Sequence, residues 1–418
     1  MKALLVGIQT KYDRYDIEYS LNELKALAEV LDYEVLGKIT QSLDSPNSKT
    51  YIGKGKLSEL VIQINAYDID IVIFNDELSP SQLKNISDEL KVEVIDRTFL
   101  ILKIFELHAE SSDSKLEIKL AKNLYLLPRI SSMHIGQSRI GGSGITRGSG
   151  ETQRELDRRH LMAEINHIKA EIINSKKMKE NQISRIKRNE LPIVCLVGYT
   201  NSGKSTTMNT LLDHLEISDN KKVLAKDQLF ATLSTFKRKI SYKKNDFILV
   251  DTIGFVSKLP HHLVNSFYET LQEVKSADLI IHVIDSSSPY INEQARVINE
   301  VLLSLNAINI PTIYVLNKWD KTIDDTIYVP GKKTIKYSNV TKQGLDELLD
   351  SIYEEIAKST IHARVTIPYS SGDLINMIEK NATINKREYL DNGTYYDIEL
   401  PQKYYYLIKD YDIDMMVS

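Results

Sequence analysis

Residues 198–206 read Gly-Tyr-Thr-Asn-Ser-Gly-Lys-Ser-Thr, a complete GxxxxGK[ST] run, and no other stretch constrains the fold as tightly. It follows the apolar run Leu191-Pro-Ile-Val-Cys-Leu-Val197 and leads into Met208-Asn-Thr-Leu-Leu-Asp-His-Leu215, so a buried strand, a glycine turn and a helix come in succession. That succession aims backbone N–H groups and the positive end of a helix at one point, where a nucleotide's β-phosphate can sit. Gly198, Tyr199, Thr200, Asn201, Ser202 and Gly203 would form the cradle. Lys204 would reach the β- and γ-phosphates, Ser205 would offer its hydroxyl to Mg²⁺, and Thr206 would complete the phosphate contacts.

The base is read much further along, at Asn317-Lys318-Trp319-Asp320, which ends the strand-like run Pro311-Thr-Ile-Tyr-Val-Leu316. A carboxylate at Asp320 can accept from guanine N1–H and the 2-amino group; adenine has neither donor there, so the order of motifs selects GTP. Asn317 would brace the pocket loops, the stem of Lys318 would lie along the base, and Ser338-Asn339 would complete the base contacts. Between the two motifs, Asp246-Phe-Ile-Leu-Val-Asp251 reads as a strand that ends in Asp251-Thr252-Ile253-Gly254. Asp251 would hold the Mg²⁺ shell through water, and the Gly254 N–H would meet the γ-phosphate. Upstream, Phe230-Ala231-Thr232-Leu233 lies in a polar stretch that needs an ordering partner, and Thr232 on Mg²⁺ would supply one, with Thr235 as the alternative. The catalytic set is therefore Lys204, Thr232 and Gly254. Position 255 is Phe, where a Ras-like enzyme carries the glutamine that orients water, so turnover without help should be slow. Help could come from a partner in trans or from K⁺; Asn201 occupies the loop position that binds K⁺ in similar GTPases, though a loop-bracing hydrogen bond is its other reading.

Composition sets limits. A chain of 418 residues holds two to four domains, and a net charge of −4 confines any nucleic-acid contact to local patches. No apolar run approaches the ~18 residues of a membrane helix, and the apolar run at the N-terminus is too short for a signal peptide. The single cysteine, Cys195, falls in the strand before the phosphate loop, where packing explains it. A soluble, cytoplasmic monomer is expected.

The patterning predicts an α/β protein in four parts. Residues 1–110 alternate strand-like and helix-like segments and predict a small parallel domain. Its Gly53-Lys54-Gly55-Lys56 turn opens a helix; Lys54 and Lys56 are either solvated, or contacts to RNA phosphate, an anion or a second nucleotide. Residues 111–190 predict an antiparallel helical hairpin, with Leu116, Leu120, Leu124 and Leu127 on one seam and Leu161, Ile165, Ile168 and Ile172 on the other. Between the helices, residues 128–150 hold six glycines, Arg129, His134, Arg139 and Arg147, and no acid, a composition suited to rRNA, with Arg139 and Arg147 the leading contacts; a flexible connector is the other reading. Residues 191–358 form the GTPase domain, a parallel sheet with helices on both faces. Residues 359–418, which carry eight tyrosines and an acidic balance, predict a small α+β appendix suited to packing or to a protein partner.

The order and flanks of these motifs resemble the HflX family of bacterial GTPases, in the Obg-HflX superfamily. The resemblance runs outside the GTPase core, through Tyr51-Ile-Gly-Lys-Gly-Lys56, Asn75-Asp-Glu-Leu-Ser-Pro80, Val94-Ile-Asp-Arg-Thr98, Gly141-Gly-Ser-Gly144, Gly150-Glu-Thr-Gln153, Asp157-Arg-Arg159, Asp227-Gln-Leu-Phe-Ala-Thr-Leu233 and Gly254-Phe-Val-Ser-Lys-Leu-Pro260. It implies binding to the large ribosomal subunit and the use of GTP to separate or recycle stalled ribosomes. Ribosome assembly, or a non-hydrolysing nucleotide-switched RNA-binding scaffold, are the alternatives. Two departures from the family pattern stand at Ser234-Thr235-Phe236, where Asp-Pro-Thr is expected, and at Ser338-Asn339, where Ser-Ala is expected.

Overall fold

The computed structural model describes residues 1–109, 111–130, 153–186, 191–215, 236–243, 245–252, 254–258, 273–322, 332–358 and 360–413. The N-terminal region alternates β1 (Lys2–Gln9), α1 (Ile17–Val30), β2 (Glu34–Ser42), α2 (Lys54–Tyr67), β3 (Ile71–Phe74), α3 (Pro80–Leu90) and β4 (Glu93–Asp96). The sheet order is β2-β1-β3-β4, all parallel. Every residue of β3 is buried, as expected of a strand covered by helices on both faces. Helix starts are fixed locally: Asp16 accepts from the Glu18 N–H, and Ser79 and Gln82 form a reciprocal capping box ahead of Pro80.

Helix α4 (Arg97–His108) follows β4 directly, with Asp96 accepting from the Phe99 N–H. It is apolar on most sides because it lies beneath α5 (Ser112–Leu126). Helix α6 (Gln153–Ile186) packs antiparallel on α5, as the pairs Lys119–Glu164 and Ser175–Asp113 show. The second seam of this hairpin is where the spacing puts it, with Ile165 and Ile168 buried. The first is rotated. Leu124 is exposed, and Ile118, Ala121 and Tyr125 are buried instead, because α5 must pack on Phe99 and Phe105 of α4 as well as on α6. Arg129 also differs from expectation. Its guanidinium is buried, 3.7 Å from the Tyr125 ring centroid, and donates to Glu77 and to the Leu78 and Tyr125 carbonyls. It anchors the hairpin's base and is not presented to phosphate.

The GTPase domain contains β5 (Ile193–Gly198), α7 (Lys204–His214), β6 (Phe236–Tyr242), β7 (Asn245–Asp251), β8 (Leu279–Asp285), α8 (Ile291–Ser304), β9 (Thr312–Asn317), β10 (Thr334–Lys336) and α9 (Leu345–Lys358). Its sheet runs β10-β9-β8-β5-β7-β6, parallel except for the edge strand β6. Beyond it, β11 (Thr360–Ile367), β12 (Thr383–Leu390) and β13 (Gly393–Pro401) make an antiparallel sheet in the order β11-β13-β12, packed on the helix Gly372–Asn381. Of its tyrosines, Tyr396 is buried, while Tyr369, Tyr389 and Tyr406 are exposed.

One contiguous apolar core joins the N-terminal region to the GTPase domain, running from Leu5, Leu21 and Phe105 to Cys195, Val250 and Phe255. Tyr15, Tyr19 and Tyr290 cluster at its edge, and Gln294 donates to the Tyr19 hydroxyl. Among the described residues no helix is long and apolar enough to cross a membrane.

Candidate functional site

The phosphate loop leaves β5 at Gly198 and enters α7 at Lys204. Gly203 has φ +94°, and a Cβ there would come within 2.2 Å of Asn317 Nδ2, so both backbone shape and space demand glycine. Lys204 is buried, with Nζ donating to the Gly198 and Tyr199 carbonyls at 3.1 and 2.9 Å. Burial pushes its pKa down to about 8 against the pull of Asp251. Asp251 is also buried, and desolvation raises its carboxyl to about 6 although Lys204 and the Ser205 hydroxyl favour the charge. Ser205 Oγ donates to Asp251 Oδ2 at 2.5 Å. Asp251 Oδ1, Thr200 Oγ1 and Ser202 Oγ are buried with no hydrogen-bond partner among the described residues. Buried oxygens left this way suit a bound phosphate and a hard cation. Asn201 and Thr206 are exposed at the loop's outer side.

The sensor strand comes to this loop directly. Thr252 Oγ1 donates to the Leu196 carbonyl at 2.6 Å. The Thr200 N–H donates to the Phe255 carbonyl at 2.7 Å, and the Phe255 N–H to the Gly198 carbonyl at 3.2 Å. Gly254 is thereby pressed on the loop; a Cβ on it would lie 2.8 Å from Thr200 Cγ2 and 2.9 Å from Lys204 Nζ. The Phe255 ring is buried in the interdomain core. Ile253, Phe230, Ala231, Thr232, Leu233 and Thr235 lie outside the described residues, as do Arg139 and Arg147.

On the base side, Asn317 is buried and its Nδ2 donates to the Ser202 carbonyl at 2.7 Å, tying the two motifs together. Asn339 Nδ2 donates to Asn317 Oδ1 and Thr207 Oγ1, both at 3.2 Å. Ser338 Oγ donates to Asp320 Oδ1 at 2.6 Å, orienting a carboxylate that is otherwise exposed. Lys318 Nζ pairs with Asp285 at 2.7 Å, and Lys336 Nζ sits 4.4 Å from the Trp319 ring centroid. Lys54 and Lys56 are not part of this site. Lys54 is exposed, Lys56 pairs with Glu59 at 2.8 Å, and the Gly53 N–H is already taken by Gln41 Oε1.

Sequence reasoning missed what lies behind the loop. The Tyr199 hydroxyl faces the N-terminal region, donating to Glu23 at 2.7 Å, and accepts from the Ser257 N–H. Arg97, 1 % exposed, pairs with Glu23 and donates to Ser257. Val94–Thr98 and Gly254–Pro260 carry two of these residues, but no local spacing joins them.

Three family models match between residues 18 and 318: a GTP-binding GTPase N-terminal family over residues 18–106, a GTP-binding GTPase middle region over 108–186, and a family described as 50S ribosome-binding GTPase over 193–318. The GTPase HflX of Caldanaerobacter subterraneus subsp. tengcongensis is 40% identical over 94% of this chain and 89% of its own length. The GTPase HflX of Escherichia coli is 35% identical over 94% and 92%. Among solved structures, SsGBP in complex with GDP is 28% identical, covering 86% of this chain and 99% of its own, with a TM-score of 0.50. With the phosphate loop, the sensor strand and the guanine motif assembled at one set of strand ends, this GTP-hydrolysing chain belongs to the HflX GTPase family.

Proposed function

We propose that this GTPase works in the cytoplasm on the large ribosomal subunit, docking its helical hairpin on rRNA in the GTP state to separate or recycle stalled ribosomes, and releasing on hydrolysis. The family description of residues 193–318 as a 50S ribosome-binding GTPase supports the partner. The observation that carries the reading is the acid-free arginine and glycine stretch 128–150, which lies in the chain between two antiparallel helices whose base Arg129 and Glu77 lock. Exposed Arg158 and Lys169 on α6 add positive charge alongside. Residues 1–110, 111–190, 191–358 and 359–418 act as the four working parts.

In the nucleotide site, Mg²⁺ would be held by Ser205 and, through water, by Asp251, with Thr232 as a further ligand; bound there it would neutralise charge on the β- and γ-phosphates. Lys204 supplies the fixed positive charge and the Gly254 N–H the γ-phosphate contact. Phe255 cannot orient water, so the reaction is slow until the large subunit, or K⁺ at Asn201, adds stabilisation. Equal rates in K⁺ and Na⁺ would remove the ion. The test of the partner is co-sedimentation with ribosomal subunits in GTP, GDP and a non-hydrolysable analogue across a salt series. The wild-type protein should bind large subunits, and binding should fall steeply with salt as counterions are released. Arg139→Glu with Arg147→Glu should lose binding but keep GTP affinity; wild-type binding by that variant would end the rRNA reading.

A further inference from the structure

We propose that Glu23, on α1 of the N-terminal region, is a positioning residue of the GTPase site: it clamps the sensor segment onto the phosphate loop and biases the site toward GDP. The clamp is buried. Glu23 Oε1 accepts from the Tyr199 hydroxyl, while Oε2 accepts from both Arg97 Nη1 and Nη2 at 3.1 Å and from Ser257 Oγ. Arg97 Nη1 also donates to the Ser257 carbonyl at 3.0 Å and to its Oγ at 2.6 Å, and the Ser257 N–H donates to Tyr199 Oη at 2.6 Å. Every polar group of Ser257 is thus held by side chains outside its own segment, two of them from the N-terminal region.

Ser257 stands three residues beyond Gly254, and Phe255 between them is paired with the backbone of Gly198 and Thr200. The segment is therefore fastened at two points, with Gly254 held so near the loop that a Cβ on it would lie 2.9 Å from Lys204 Nζ, which donates to two carbonyls of its own loop. A γ-phosphate must take both the Lys204 ammonium and the Gly254 N–H as partners, so admitting it means drawing Gly254 away from a loop that leaves no room even for a Cβ between it and Lys204. GDP takes Lys204 at its β-phosphate but makes no demand on the Gly254 N–H. The clamp holds Gly254 in place and so opposes the γ-phosphate selectively; by reciprocity, GTP loosens the hold of Glu23 and Arg97 on Ser257. A buried ion pair that only stabilises the fold would weaken both nucleotides alike when cut.

The test uses the full chain without ribosomes. Dissociation constants for GDP and for a non-hydrolysable GTP analogue are measured with Mg²⁺ in wild type, Ser257→Ala, Ser257→Thr and Tyr199→Phe. Ser257→Ala leaves the Glu23–Arg97 pair intact, which avoids stranding a buried charge as Glu23→Gln does. Ser257→Ala and Tyr199→Phe should each tighten the analogue relative to GDP by roughly 5- to 50-fold, within the usual range of coupling between sites. Ser257→Thr, which keeps the hydroxyl, should restore the wild-type ratio. An analogue-to-GDP affinity ratio that is unchanged or lowered in Ser257→Ala overturns the proposal, whatever happens to thermal stability.

Discussion

The N-terminal sheet and the GTPase sheet reverse their winding direction in the same way, at β1/β3 in one and β5/β8 in the other, and each opens a crevice at its carboxyl strand ends. What fills each crevice differs. Beyond β5, a glycine loop leads into a helix that opens at Lys204, an arrangement suited to phosphate. Beyond β3, Asn75 is buried against Ser20, and Asp76 accepts from the Tyr51 hydroxyl and pairs with the ammonium of Lys258, four residues after Gly254. The first crevice is suited to an anion; the second presents the carboxylate of Asp76, which receives a cationic side chain of the GTPase domain. Topology places both crevices, but the polarity of their linings decides what enters.

The largest effect should come from the discriminating carboxylate. Asp320→Asn should lose GTP affinity by on the order of 2–4 kcal/mol and gain xanthosine triphosphate, whose 2-oxo group needs a donor. Competition binding checks this, and equal affinity of the unmodified protein for GTP and ATP would sink the assignment.

Next in size is the pH dependence of the phosphate-loop crevice. Lys204 in the free protein loses its proton as pH rises through about 8, and phosphate needs the charged amine, so binding above that point requires proton uptake. Asp251 gains a proton as pH falls through about 6, which removes the carboxylate the Mg²⁺ shell needs. Mg²⁺-dependent GTP affinity should be highest between about 6 and 8, falling up to tenfold per pH unit outside. A flat profile from pH 5 to 9 would contradict the buried pair.

The smallest effect belongs to the N-terminal crevice. Lys258 and Asp76 are each close to one-third exposed, so Lys258→Ala should lower stability by no more than about 1 kcal/mol, read from a denaturant midpoint. A loss several times larger would mean that this pair, and not the apolar core, holds the two regions together.

The two crevices were not equally legible in the sequence. A phosphate loop is local: nine residues between a strand and a helix state their geometry, and Asn317–Asp320 states the base by its chemistry. The alternation that reveals β1 through β4 is local too. The contacts that fasten one region on the other are not. Arg97 and Ser257 are separated by 160 positions, Glu23 and Ser257 by 234, and no periodicity links them. Arg129 falls within the acid-free stretch 128–150 whose arginines read as suited to phosphate; its partner, Glu77, is 52 residues away. The leucine seam of α5 misled for a related reason, since spacing reveals an amphipathic face but not which of two neighbours will claim it.

The contrast between the crevices is tested most directly by counting nucleotides. Calorimetric titration of the full chain with GDP and Mg²⁺ should give one site per chain, and Lys204→Ala should abolish it. A second GDP per chain, or a site that survives Lys204→Ala, would mean that the N-terminal crevice binds nucleotide after all and would contradict the account.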